Sequence, residues 1–202
     1  YNECGGMTLS GGEPLAQFEF SKALLETARV EGIHTAVDTS AYAPWEQLEE
    51  LAPAVDLFLV DLKIVGDDNL HKKYTNQDST LIHSNLKKLL ELNASIEFRM
   101  VMVPGFNDGE SHIQAASDFL RSIKYDSIEL LKYNSMYEDK ARRLGLDVVP
   151  LNITPEESLK SVENGVRLFR HYGIKAEYAD MDSSRHKAVF TPRVLEIQRA
   201  IR

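Results

Sequence analysis

A chain of 202 residues, 43% of them hydrophobic, is long enough to bury roughly 70% of its unfolded surface in one domain without disulfide or metal staples. Its one cysteine, Cys4, excludes a disulfide framework and a self-contained multi-cysteine metal site, and makes a reducing cytoplasm the expected home. A net charge of −8 with pI near 5.3 lacks the basic footprint of a nucleic-acid binder, and apolar runs such as 57–60 and 100–103 fall far short of the about 20 residues that cross a bilayer, so small molecules or proteins are the expected partners.

The chain opens on Tyr1-Asn2-Glu3-Cys4-Gly5-Gly6 with no initiating Met and no basic-then-apolar signal, and is read as a domain whose beginning lies upstream. Residues 7–10 are short and apolar, Gly11-Gly12 follow, and Pro14 opens a helix with Phe20, Leu24 and Ala28 on one face, closed by Gly32. That unit of strand, tight turn and helix recurs. Residues 35–38 form the next expected strand, before Pro44, a helix over 45–51 and a breaker at Pro53. A third strand is expected over 57–63, then a short helix over 68–74 and a longer one over 80–92 that Ser79 is placed to cap.

Residues 96–103 read as a fourth strand; Pro104-Gly105-Phe106-Asn107 turns into a helix carrying Ile113, Ala116, Leu120 and Ile123. After a fifth strand over 128–133, Met136 falls in a loop, and Lys140, Arg142 and Arg143 form a basic helix face. Thr154-Pro155-Glu156-Glu157 is a capping box with Pro at the first helical position, and Leu159, Val162, Val166 and Phe169 supply the apolar stripe of that helix up to Gly173. A last strand, 175–178, and a closing helix, 194–201, complete the pattern.

Alternating strands and helices imply parallel strands joined by right-handed crossovers, in an open doubly wound sheet or in a barrel or part of one. No linker or low-complexity tract interrupts the chain, so a single domain is expected. In β/α barrels chemistry gathers where the carboxyl ends of the strands converge. Here those ends carry Ser10-Gly11-Gly12-Glu13-Pro14, then Asp38-Thr39-Ser40, Asp61 and Lys63, Arg99, and Asn134. Buried without partners, such groups would cost several kcal/mol each.

Gly11 and Gly12 let a ligand approach the backbone, and Glu13 adds an acceptor suited to an ammonium group. Two residues apart in a strand, Asp61 and Lys63 would share one side, while Asp38 and Asp61 on neighbouring strands make an oxygen-rich corner for a hard cation. The planar donor fork of Arg99 suits a carboxylate or ribose oxygens. Each feature also has a bland reading: a glycine turn starting a helix, an internal salt bridge, a turn cap at Asp38, pairing of Arg99 with Glu97, and a solvated helix face at His71, Lys72 and Lys73. A Schiff-base role for Lys63 is a further alternative, opposed by Asp61, which favours the protonated amine.

The ordered set Gly6-Met7-Thr8-Leu9-Ser10-Gly11-Gly12-Glu13-Pro14-Leu15, Gly32-Ile33-His34-Thr35-Ala36-Val37-Asp38-Thr39-Ser40, Asp61-Leu62-Lys63, His71-Lys72-Lys73-Tyr74-Thr75, and Arg99 with Val103-Pro104-Gly105 resembles the activating enzymes of glycyl radical enzymes. That family of radical S-adenosylmethionine enzymes is matched over about residues 5–145. The resemblance implies an α/β fold, a partial (β/α)6 TIM-like barrel lacking its first βα unit over about 1–180, with 181–202 as a C-terminal extension. It implies S-adenosylmethionine bound against a [4Fe–4S] cluster, and a 5′-deoxyadenosyl radical that takes hydrogen from a glycine of a partner such as pyruvate formate-lyase. A flavodoxin or ferredoxin-type protein would supply the electron.

On this resemblance Ser10, Gly11, Gly12 and Glu13 bind the amino end of the cofactor's methionine. Lys63 and Arg99 contact its carboxylate and the ribose region, and Asp38, Thr39 and Asp61 surround a monovalent cation. Two departures stand out. The family's C-x3-C-x2-C cluster motif is absent, so no residue here is expected to perform the radical chemistry and the isolated chain is expected to be inactive. Asn134 stands where relatives often have histidine in the cofactor site, and Asn76 where they often have glycine. An inactive half-barrel with a binding or regulatory role is the alternative.

Overall fold

The computed structural model describes residues 5–147 and 149–179; Cys4, the helix expected over 194–201 and the extension expected over 181–202 lie outside them. Six strands form one parallel sheet: β1 (Gly6–Leu9), β2 (His34–Thr39), β3 (Leu57–Asp61), β4 (Ile96–Met102), β5 (Ser127–Lys132) and β6 (Lys175–Tyr178). Between them run α1 (Phe18–Val30), α2 (Trp45–Leu51), α3 (Asp68–Thr75), α4 (Thr80–Glu91), α5 (Glu110–Ser122), α6 (Met136–Arg143) and α7 (Pro155–His171). The strands lie in the sheet in chain order, β1 through β6. A doubly wound sheet reverses its order at a switch point, and this one does not, so the alternation resolves to the partial-barrel arrangement.

The chain forms two compact units. Among the described residues the first comprises 5–61 together with 78–98. Its strands pair in register Gly6↔His34 through Leu9↔Val37, and Ala36↔Leu57 through Thr39↔Val60. Gly6 permits the first of these approaches, because a Cβ there would lie 2.7 Å from the His34 carbonyl oxygen. Leu25, Val37, Leu48, Leu51, Phe58, Val60, Leu86, Leu89 and Phe98 are almost wholly buried and make the core.

The stripe expected on the first helix is corrected here. Residues Pro14–Gln17 wind as a 3-10 turn, and the α-helix starts only at Phe18. Three residues per turn instead of 3.6 shifts the helix phase, so Ser21, Leu25 and Ala28 face inward and Phe20 is 63% exposed. Ser79 occupies the N-cap position of α4 but makes no side-chain cap; the Asp78 carboxylate accepts from the Thr80 N–H instead, at 3.1 Å.

Among the described residues the second unit comprises 62–77 and 99–179. Its strands pair in register Arg99↔Glu129 through Met102↔Lys132, and Ser127↔Lys175 through Leu130↔Tyr178. Met100, Met102, Ile113, Leu120, Leu130, Val162 and Phe169 are fully buried. The capping box of α7 has both halves in place, Thr154 Oγ1 accepting from the Glu157 N–H and the Glu157 carboxylate from the Thr154 N–H.

The inward face of α7 is Ser158, Ser161, Val162, Gly165, Leu168 and Phe169, while Leu159 is 39% exposed and Val166 half-buried. Gly165 accounts for the shift: a Cβ there would sit 2.9 Å from Met102 Cε and 3.1 Å from Leu130 Cδ1, so the helix seats its small-residue side on the sheet. His71 also departs from expectation. It is 3% exposed, with Nδ1 2.8 Å from the Gln77 carbonyl and 3.0 Å from Thr75 Oγ1, and only Lys72 and Lys73 face solvent. Asn76 ends α3 at φ 59°, a left-handed position in which asparagine is the usual substitute for glycine. Met136 is the first residue of α6 rather than part of a loop, and is 70% exposed.

Candidate functional site

In the first unit the ends of β1 and β2 are fastened to each other by side chains. Ser10 Oγ donates to Asp38 Oδ2 at 3.0 Å. Glu13 Oε1 accepts from Thr39 Oγ1 at 2.7 Å and from the Leu15 N–H at 3.2 Å, while Oε2 accepts from the Ser40 N–H at 2.9 Å and Ser40 Oγ at 2.7 Å. A carboxylate has about four lone-pair positions, and Glu13 gives all four to its own chain. Its charge remains to attract a cation. Its hydrogen-bonding capacity is spent on the turn, as the N-cap of the 3-10 turn and as a staple to β2.

That staple leaves the glycines open. Gly11 has φ 134°, which only glycine adopts without strain, and nothing lies within 4 Å of a Cβ built at Gly11 or Gly12. Among the described residues no hydrogen bond engages the backbone of either glycine. The loop therefore presents peptide groups next to two carboxylates, Glu13 and Asp38, a donor set that fits the ammonium end of an amino-acid-like ligand. Asp38 is half-buried and Thr39 is 3% exposed; the Thr39 hydroxyl donates to Glu13 and accepts from the Ala41 N–H at 3.0 Å, leaving one lone pair. Asp61 is the last residue of β3 and is half-buried.

The second unit holds Lys63, Arg99 and Asn134. Strand β3 stops at Asp61, short of the expected Lys63, although the Leu62 N–H still donates to the Arg99 carbonyl at 2.8 Å. Lys63 is exposed, between the buried Leu62 and Ile64. Arg99 sits on the half-buried side of β4, opposite the side of Phe98 and Met100. The Asn134 side-chain oxygen accepts from the Met136 N–H at 3.1 Å, so its NH2 is the group that it offers a ligand.

Two groups that bear on these loops, one buried and one half-buried, were not among the residues the sequence pattern singled out. Asn85, fully buried on α4, donates from Nδ2 to the Ala41 and Ala43 carbonyls, both at 2.9 Å. His112 on α5 accepts at Nε2 from the Val65 N–H at 3.0 Å, which requires the neutral ring with its proton on Nδ1; that atom is buried and, among the described residues, its interaction with the Asn107 carbonyl falls outside normal hydrogen-bond geometry. Burial lowers the His112 pKa below the ordinary imidazole value, and the Asn107 carbonyl offsets part of that shift. Because the folded pKa is the depressed one, the stabilisation is complete above about pH 6.5 and is lost as pH falls through the window below it. Urea midpoints measured at pH 7.5 and 5.5 should therefore drop more for the natural chain than for His112→Gln, which accepts the same bond at both pH values. Equal drops would remove His112 from the account.

A parallel β/α sheet in chain order, with a glycine–glycine loop and acids at its strand ends, is a partial β/α barrel. Residues 1–116 match the Radical SAM superfamily, and the chain belongs to that superfamily. It is 35% identical over 178 residues to the (2S)-3-sulfopropanediol dehydratase activating enzyme of Klebsiella oxytoca, covering 86% of this chain and 53% of that one. It is 31% identical over 160 residues to the pyruvate formate-lyase-activating enzyme of Staphylococcus epidermidis, covering 76% and 63%. The crystal structure of a domain of pyruvate-formate lyase-activating enzyme from Bacteroides vulgatus is similar with a TM-score of 0.67 at 28% identity, over 87% of this chain and 99% of that domain.

These relatives are activating enzymes, as the ordered motifs led one to expect. The chain spans about half the length of the curated relatives it matches. Among the described residues no helix is long and apolar enough to cross a membrane.

Proposed function

We propose that this chain supplies the S-adenosylmethionine-binding part of an activating enzyme whose protein substrate is a glycyl radical enzyme. The observation that carries the reading is the stapled Ser10–Glu13 loop, whose open glycine backbone lies beside two carboxylates. In the first unit Ser10, Gly11, Gly12 and Glu13 hold the cofactor's ammonium group, Glu13 by its field and the glycines by their peptide groups. Asp38 and Asp61 are the carboxylates proposed for a monovalent cation, with Thr39 adding its remaining lone pair. In the second unit Lys63 and Arg99 are proposed for the cofactor's carboxylate and ribose, and the Asn134 amide as a neutral donor.

A [4Fe–4S] cluster, when bound, supplies the electron that cleaves the cofactor. The residues here do not fit it. The chain has one cysteine, and among the described residues no group of three or more His, Cys, Asp or Glu is placed to hold a metal. No redox step is therefore assigned to these residues; cluster ligands and docking of a flavodoxin or ferredoxin-type donor belong to other parts of the parent protein. Pyruvate formate-lyase is one candidate partner, and the dehydratases and lyases named in the relatives mark the range of others.

The test uses the parent protein, reconstituted anaerobically with iron and sulfide and reduced with dithionite. It should form 5′-deoxyadenosine from S-adenosylmethionine and raise a glycyl radical signal in its partner by electron paramagnetic resonance. Absence of 5′-deoxyadenosine from a cluster-loaded preparation would sink the reading. The 202-residue chain alone should bind S-adenosylmethionine only in the millimolar range, about 4 kcal/mol, by calorimetry.

A further inference from the structure

The loop that follows β2 is held from two directions. On one side Glu13 takes the Thr39 hydroxyl, the Ser40 N–H and the Ser40 hydroxyl. On the other, Asn85 donates to the carbonyls of Ala41 and Ala43. Ala41 between them is fully buried at φ 59°, a left-handed conformation that alanine holds only when its surroundings impose it. Thr39 Oγ1 adds an internal bond from the Ala41 N–H, so the residue that Asn85 grips at its carbonyl is tied at its nitrogen to Glu13's own partner.

Asn85 is also an anomaly on its helix. It is completely buried next to Leu86 and Leu89 on the inward face of α4, and its Oδ1 is buried with no hydrogen-bond partner among the described residues. An orphaned amide oxygen in an apolar face costs about 1–3 kcal/mol, so packing alone would favour leucine or alanine here. What the asparagine provides is a forked donor for two carbonyls, 44 and 42 residues away in the chain. Turning the amide over would set its oxygen against both carbonyl oxygens, so the geometry admits one orientation.

We propose that Asn85 is a positioning residue for cofactor binding: through Ala41 and Ala43 it sets the Thr39–Ser40 backbone against which Glu13 shapes the Ser10–Glu13 loop. The proposal rests on the reading of that loop as the S-adenosylmethionine site. Asn85 touches no ligand. It acts through the backbone of the β2–α2 loop.

The experiment compares Asn85→Ala, Ser40→Ala, the double variant and Glu13→Ala in the cluster-loaded parent protein, reading the S-adenosylmethionine KM and kcat for 5′-deoxyadenosine formation. Hydrogen exchange of residues 39–43 is followed alongside. Asn85→Ala should raise KM about fivefold, the equivalent of one lost hydrogen bond, with kcat within about twofold, and should deprotect 39–43 while β3 stays protected. Ser40→Ala leaves the core intact and keeps the idea testable if Asn85→Ala folds poorly; it too should raise KM. In the double variant the two effects should be less than additive, since both release one loop. Additive effects, or an unchanged KM with 39–43 deprotected, would overturn the proposal. If Glu13→Ala leaves KM unchanged, the loop is not the cofactor site and the proposal falls with that reading. If Glu13→Ala raises KM and neither Asn85→Ala nor Ser40→Ala does, the proposal alone fails.

Discussion

Glu13→Gln should damage the first unit nearly as much as Glu13→Ala, although it removes only a charge. Each Glu13 oxygen faces one donor that cannot turn away: the Leu15 N–H at Oε1 and the Ser40 N–H at Oε2. The Thr39 and Ser40 hydroxyls can rotate to accept, but backbone N–H groups cannot. A glutamine must therefore point its NH2 at a fixed N–H in either orientation, losing one bond and setting two donors against each other. With hydrogen bonds to a charged, part-buried group at stake, both variants should lose about 2–3 kcal/mol and lie within about 1 kcal/mol of each other. Trp45, the only tryptophan, lies in this unit and reports its unfolding in urea by fluorescence. A Glu13→Gln midpoint indistinguishable from the natural one would show that the staple does not exist in solution.

Gly66→Ala is the second large effect, and it falls on the other unit. Gly66 has φ 84°, and a Cβ there would lie 2.4 Å from the Cβ of Ala115 on α5, an overlap that no rotamer change relieves. Left-handed strain of about 1–2 kcal/mol and overpacking of about 1–3 kcal/mol add to a loss of about 3 kcal/mol, and the His112–Val65 bond next to the glycine should be disturbed with it. The two causes separate in a double-mutant cycle. Ala115→Gly costs about 1 kcal/mol in an exposed helix. On top of Gly66→Ala it should be neutral or stabilising, because it removes the atom in the way. If Ala115→Gly costs the same in both backgrounds, as judged by hydrogen exchange across α5, the overlap is not the cause.

The order and type of the elements were legible because each announces itself locally. Thr154 and Glu157 form the capping box their spacing implies, and the apolar runs of β3 and β4 become the strands they resemble. Which face of a helix turns inward was less legible. It depended on a 3-10 turn at Pro14 that shifted α1 and on Gly165, which drew α7 toward Met102. The strand-end residues could be picked out as polar groups in apolar surroundings, but not what they bond to. Glu13 was read as an open acceptor, and three of its four donors, from Thr39 and Ser40, lie 26 and 27 residues away. Asn85 and His112 act over 42 to 47 residues, a range at which periodicity carries no information. The available sign was a polar residue standing in the apolar register of α4 beside Leu86 and Leu89.

The chain-order sheet has a consequence for how the protein is made. Every strand from β2 onward lies beside the one synthesised just before it, so none must wait for a later segment to fill a gap in the middle. As the polypeptide leaves the ribosome, the growing edge of this sheet is the newest strand, and its assembly can follow translation from β1 to β6. A doubly wound sheet of the same size has to hold an edge open until the second half arrives. Pausing or truncation during synthesis should therefore leave a shorter sheet of the same order rather than a tangle of wrong pairings.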